Sequence, residues 1–177
     1  TQAQGLTATN LAELADTQIQ AFATTSLRAL STANFASLDE TQLAALTTTQ
    51  ITSLTNSQLN ALNTTKVGAL LDTQIAAFTT TQVAGLSTTN LTSLDATQLG
   101  ALTTTQVSAL TTSQVAGLTT TNVGALTETQ IGALTTTQVK ALSTANLSAL
   151  DATQAGALTT TQIGQLTSTQ AAALTAT

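Results

Sequence analysis

The chain has 177 residues, of which 42% are hydrophobic, 6% charged and 2% aromatic, and its net charge is −5. That length and apolar content support one domain with a buried core and exclude disorder for want of apolar surface. With only Arg28, Lys66 and Lys140 as basic residues and no Cys or His, the chain lacks a footprint for nucleic acid or anionic membranes and has no route to disulfides, thiolate chemistry or a zinc-thiolate site.

From Leu6 to Leu174 a Leu or Phe recurs every eighth residue without insertion or deletion, 22 times in all, and only Phe22 and Phe78 replace Leu. With this residue as position 0, position 1 is mostly Thr, position 3 Thr or Ser, position 4 Gln or Asn, position 5 aliphatic and position 7 small. Polar residues interrupt every few positions, so no apolar run approaches the roughly 18 residues of a membrane helix.

One continuous helix does not fit. Eight residues at about 100° each advance the Leu by roughly 80° per repeat and smear the apolar stripe around the cylinder. A strand fits poorly, because positions 0 and 5 fall on opposite faces at period two; the abundant Thr keeps a β-solenoid as the alternative. A short helix restarted in every octad fits best. Position 1 then serves as N-cap, and in chain order the first capped helix follows Thr7. Ala15 and Ala23 break the pattern, Ser31 to Asn63 restore it, Leu71 breaks it once more, and it runs unbroken from Thr79 to Thr175. A capping residue thus stands in 19 of the 22 octads.

Three residues after the cap comes Gln in most octads, so Asp95 with Gln98, Thr103 with Gln106, Thr111 with Gln114 and Thr127 with Gln130 match the capping box. The Leu before the cap and the aliphatic residue at position 5 form the hydrophobic staple, as in Leu102 with Val107 and Leu126 with Ile131. Lys66 replaces the box Gln in one octad and reads as tolerated variation. All nine Gly fall at positions 6 or 7 and imply close approach of a neighbouring backbone.

The pattern therefore predicts an all-α fold, a short-helix α-solenoid of 22 octads forming a single repeat domain over residues 1–177. Positions 0 and 5 should point inward, position 7 should line the contact between layers and position 2 should face water. The position-3 hydroxyl should bond the backbone or a neighbouring turn, or its methyl should pack. Three to seven octads per superhelical turn are sterically reasonable.

A longer period overlies the octads. Ser31-Thr32-Ala33-Asn34 recurs as Ser87-Thr88-Thr89-Asn90 and Ser143-Thr144-Ala145-Asn146, and Asp39, Asp95 and Asp151 share the same 56-residue spacing, as do Phe22 with Phe78 and Asp16 with Asp72. Duplication of a seven-octad block accounts for it, and so does a match between seven octads and a whole number of superhelical turns.

Chemistry at a site needs titratable groups held together. Of the eight acids, Asp39, Asp95 and Asp151 stand at N-caps, while Asp16, Glu40, Asp72 and Glu128 stand at N1, where the helix dipole favours an acid; Glu13 is the eighth. Only Asp39 and Glu40 are paired, too few for calcium, and no serine has a histidine partner. No catalytic, cofactor-binding or metal-binding residue is assigned. Asn63-Thr64-Thr65, Asn90-Leu91-Thr92 and Asn146-Leu147-Ser148 fit the glycosylation acceptor pattern.

The phrases ALTTTQVSAL and GALTETQIGALTTTQV resemble the Thr-rich octapeptide-repeat regions of large bacterial secreted and cell-surface proteins of the adhesin-like kind, over nearly the whole span from Leu6 to Leu174. The resemblance implies an extracellular, bacterial setting and an adhesion, matrix or scaffold role, and it transfers no functional residue. The chain opens at Thr1 without a methionine or a signal-like segment, as expected of a mature product or a piece of something larger. The expected function is a structural or interaction module that forms a fibre, stalk or scaffold element by head-to-tail or lateral packing. Its expected partners are its own kind, continuation in a larger chain, or a surface or matrix component. The alternative is a ligand-binding surface, with ice as the sharpest candidate, through threonine ranks such as Thr104-Thr105 and Thr136-Thr137.

Overall fold

The computed structural model describes residues 5–174, and among them are twenty-one short α-helices and no strand. The helices run from Ala8–Ala12 to Ser168–Leu174, one per octad, each four to seven residues long. Every helix begins after the position-1 residue. Thr103 is extended, with φ −70° and ψ 157°, and its side-chain oxygen accepts the N–H of Gln106 to open the helix Thr104–Ser108. The preceding Leu102 is extended as well, at φ −60° and ψ 131°, so two consecutive non-helical residues stop one helix before the next starts. The three positions without a capping side chain, Ala15, Ala23 and Leu71, still turn in the same way. Thr175, the last cap residue of the pattern, lies outside the described residues.

The β-solenoid alternative is excluded. Extended backbone is confined to the few residues between helices, and the threonine hydroxyls that a pleated strand would display accept helix amides instead.

Positions 0 and 5 form the core. From Leu30 to Leu158 every position-0 residue is no more than 7% exposed, and Val107, Val115, Val123, Ile131, Val139 and Leu147 at position 5 are wholly buried. Each helix of this length is marginal alone, and burial of its two apolar side chains, at about 1.5–3 kcal/mol each, stabilises it in the stack.

Within each unit helices pack against the third helix after them, as Ala8–Ala12 does on Thr32–Ser37 and Thr112–Ala116 on Thr136–Ala141. Side-chain hydrogen bonds fix the step more finely. The Gln50 amide donates to the carbonyl of Phe22, 28 residues back, and the Gln138 amide to that of Leu110, again 28 residues back. Twenty-eight residues are three and a half octads, so successive turns are offset by half an octad and position 4 of one turn lies over position 0 of the turn before. A position regains its own register only after two steps, 56 residues. That is the spacing of Phe22 and Phe78 and of Ser31 and Ser87.

The packing divides the chain into two compact units, Thr1–Ser93 and Leu94–Thr177, each built on this plan. In the first the 28-residue step joins Gln42 to Leu14 and Gln74 to Leu46; in the second it joins Gln130 to Leu102 and Gln154 to Leu126.

Two expectations need correction. The position-3 residues Thr49, Thr81, Thr105, Thr121 and Thr161 are exposed and their hydroxyls make no hydrogen bond among the described residues, because position 3 is the N2 residue on the outer side of each helix. Close approach accounts for only some of the glycines. A Cβ at Gly132 would lie 3.1 Å from the Ala157 carbonyl oxygen, and one at Gly85 would collide with the Asn56 amide, whereas Gly68, Gly100, Gly124 and Gly156 face open space.

Candidate functional site

The most elaborate constellation in the molecule is the repeated box residue at position 4. Around Gln138, the Thr135 hydroxyl oxygen accepts the Gln138 N–H at 3.2 Å, and Gln138 Oε1 accepts the Thr135 N–H at 2.7 Å. This is the predicted box. The remaining end of the same amide points down into the previous turn, where Nε2 donates to the carbonyls of Leu110 at 2.6 Å, Val107 at 2.9 Å and Ser108 at 3.2 Å. Two amide hydrogens serve three carbonyls, so one contact is shared. The side chain is 2% exposed. One residue therefore closes its own helix with its oxygen and ties it to the turn beneath with its nitrogen.

The arrangement recurs. Gln50 reaches Ile19, Gln20 and Phe22, Gln74 reaches Leu43, Ala44 and Leu46, and Gln130 reaches Leu99, Gly100 and Leu102. The shorter Asn in the Ser-capped octads gives up the return bond: Asn90 and Asn146 still donate to Leu59 and Leu118 in the turn below, but the Ser87 and Ser143 helices carry only the cap. Lys66 keeps the same half. Its Nζ donates to the Ala36 carbonyl, 30 residues back, while a cation has no acceptor with which to close the box on Asn63. Lys66 is thus a substitute bridge between turns, which its reading as mere variation did not foresee.

A second set of bonds between turns starts at position 6. Asn60 donates to the Gly85 carbonyl and accepts the Ser87 N–H, both at 2.8 Å, and Ser108 donates to the Ala133 carbonyl at 2.8 Å. Among the described residues no buried side-chain nitrogen or oxygen is left without a partner.

Sequence reading found the box and missed the bridge. The signal was available at position 4. From Asn10 to Gln170 that position holds fourteen Gln, five Asn, Ser26 and Lys66, and never Glu. A box alone accepts Glu as well as Gln, and the helix dipole would favour the acid. Its absence marks a position that must donate as well as accept.

The structure places the acids as expected and does not gather them. Asp39, Asp95 and Asp151 cap helices, each accepting a Gln N–H at 2.8 Å, and Asp16, Glu40, Asp72 and Glu128 open helices at N1. Glu13 closes the helix Ala8–Ala12. Glu128 and Asp151 share a shallow surface depression of about 510 Å³ with Thr127, Thr129, Thr153 and Gln154. Among the described residues no three acids, His or Cys come together as a metal site, and no helix is long and apolar enough to cross a membrane.

Short capped helices, an apolar core in each unit and a register of polar bridges between turns define a helical repeat protein of the solenoid class. The chain belongs to the ALTTAQ repeat family, whose model matches residues 19–56, 56–88, 108–136, 129–160 and 136–168. The family's name spells the stretch that carries the architecture, as in Ala109-Leu110-Thr111-Thr112-Ser113-Gln114: staple, cap and box in succession. No curated protein and no solved structure matches the chain.

Proposed function

We propose that the protein is a non-enzymatic structural module of an extracellular bacterial protein, a stalk, fibre or scaffold element in which stacked turns set length and spacing. The observation that carries this reading is the position-4 bridge. Nearly every turn adds the same interface, with the same donors on the same carbonyls, so the chemistry of the chain is directed at its own extension. The acids are engaged at caps and helix starts, and the Thr-rich octads resemble those of secreted and surface proteins. Head-to-tail or lateral packing of the solenoid would assemble the element. Antibody labelling of intact producing cells tests the setting: label on unpermeabilised cells, in elongated material under the electron microscope, is the expected result. Label that appears only after permeabilisation rejects it.

Ice binding is the second reading, favoured by the exposure of Thr48-Thr49, Thr80-Thr81, Thr104-Thr105, Thr112 and Thr160-Thr161. The half-octad offset sets a row of position-6 and position-7 residues, mostly Ala, Gly and Ser, between successive threonine ranks. Thermal hysteresis in the purified protein tests it, and freezing at the equilibrium temperature rejects it.

A further inference from the structure

The fold sorts the three acceptor motifs of the sequence. Asn90 and Asn146 stand at position 4, where they are 4% and 2% exposed and their Nδ2 atoms donate to the carbonyls of Leu59 at 3.0 Å and Leu118 at 2.9 Å in the turn below. A sugar on either nitrogen would have to fit between packed turns and would displace the bridge, so the folded array carries none there. Asn63 stands at position 1. Asn63, Thr64 and Thr65 are all exposed. Asn63 Oδ1 accepts the Lys66 N–H at 2.9 Å and caps the helix Thr64–Gly68, while its Nδ2 donates to no described residue. The Thr65 hydroxyl, the third member of the motif, bonds to no described residue either.

Two departures from the octad meet at this place, and both open the nitrogen. Asn63 is the one Asn among the 22 position-1 residues, so it caps with an amide where other caps are hydroxyls or carboxylates. At position 4 of the same octad, Lys66 replaces the usual Gln or Asn. In the octad before it, Gln58 Oε1 folds back to accept the Thr55 N–H at 3.0 Å and the Thr55 hydroxyl at 3.1 Å. The Lys66 side chain instead turns down to the Ala36 carbonyl, which withdraws the box partner from Asn63.

We propose that Asn63 is a glycosylation site, whose Nδ2 takes a sugar from a donor activated as a phosphate ester at the anomeric carbon. The bond from Nδ2 to the anomeric carbon forms. The bond from that carbon to the phosphate oxygen breaks, the phosphate leaves with the electron pair, and one amide hydrogen passes as a proton to a base of the transferase. Oδ1 is unchanged in the product, so the cap on the Lys66 N–H survives and the sugar sits in water. This goes beyond the reading of the chain as a structural module. It shares the extracellular setting of that reading, yet the two fail separately: cell labelling tests the setting and peptide masses test the site.

The test is peptide mass spectrometry of the protein purified from its producing organism. Trypsin cutting after Arg28, Lys66 and Lys140 yields the peptides 29–66, 67–140 and 141–177, with one acceptor motif in each. The expected result is added sugar mass on 29–66, placed on Asn63 by fragmentation, with Asn90 and Asn146 bare. Single-sugar increments identify a nucleotide-linked donor and one block of several sugars a lipid-linked one; either supports the proposal. Asn63→Asp keeps a capping oxygen of the kind that Asp39, Asp95 and Asp151 supply, and Thr65→Ala keeps Asn63 itself. Each should remove the added mass completely with an unchanged helical spectrum. A bare Asn63 in the native protein, sugar that survives either substitution, or sugar on Asn90 or Asn146 overturns the proposal.

Discussion

Gln138→Glu separates the two tasks of the box residue, because it leaves the shape and the accepting oxygen in place and deletes only the donor. In the folded protein the introduced carboxylate still accepts the Thr135 N–H, but its other oxygen faces the carbonyls of Leu110, Val107 and Ser108 at the distances the amide now occupies, 2.6 to 3.2 Å. Two amide hydrogens are lost, at about 0.5–1.5 kcal/mol net each, and a charge is buried beside acceptors alone at a site 2% exposed, which adds several kcal/mol before relaxation. A destabilisation of about 3–5 kcal/mol at neutral pH follows. The sign with pH is fixed. Burial against carbonyls raises the folded-state pKa of the new carboxyl above its unfolded value of about 4.3. The penalty is therefore full above the folded value and fades as pH falls toward the unfolded one, where the protonated carboxyl can again donate. Urea unfolding followed by circular dichroism at neutral and mildly acidic pH, each against the unsubstituted protein, reads both effects. Gln18→Glu is the internal control: Gln18 is exposed, its Oε1 accepts the Ala15 N–H and its amide nitrogen bridges to no described residue, so the substitution should change stability by less than about 0.5 kcal/mol. A loss of under about 1 kcal/mol for Gln138→Glu at neutral pH, or one that does not shrink on acidification, refutes the bridge.

Caps give a second prediction: Thr111→Ala should cost about 1 kcal/mol, and Leu71→Thr, which supplies a missing cap and removes a leucine 48% exposed, should gain about 0.5–1 kcal/mol in thermal or denaturant unfolding. The glycines divide by the space around them. Gly100→Ala, into open space within a helix, should stabilise by about 0.5–1 kcal/mol, whereas Gly85→Ala must first displace the Asn56 amide and should gain nothing; equal gains at both would count against the close contact. In the core, Leu147→Ala should cost about 2–5 kcal/mol, and Ile163→Ala, at an exposed place of the same octad position, under about 1 kcal/mol.

The architecture was legible because its local signals agree. Thr103, Thr111 and Thr119 as caps, Gln106, Gln114 and Asn122 as box partners and Leu102, Leu110 and Leu118 as staples are chemistry that acts within eight residues, and each is found as expected. The contacts between turns were not legible in the same way. The 28-residue step arises from how short helices close into a turn, a property of three dimensions that no octad encodes alone. The step lies within the three-to-seven-octad range, and the 56-residue spacing of Ser31 with Ser87 is twice its length. Position 3 misled because uniformity there was read as a sign of contact; Thr105 and Thr121 are uniform and exposed. For a candidate site, the sequence held the decisive clue in an absence, that of Glu at position 4, and it becomes readable only when the box is asked what its second nitrogen-bearing end does.

The half-octad offset between turns has a consequence for how such a chain can change in length. A bridge requires only that the residue 28 places earlier stand at position 0, and any octad supplies one. Removing or inserting a whole octad leaves every Gln whose bridge spans the change over a Leu carbonyl, though a different Leu, and the bridges beyond are untouched. Removing one, two or three residues puts every bridge that spans the deletion over the wrong partner at once. The array therefore tolerates lengthening and shortening in steps of eight and in no smaller step, a quantised freedom that fits the unslipped run from Leu6 to Leu174.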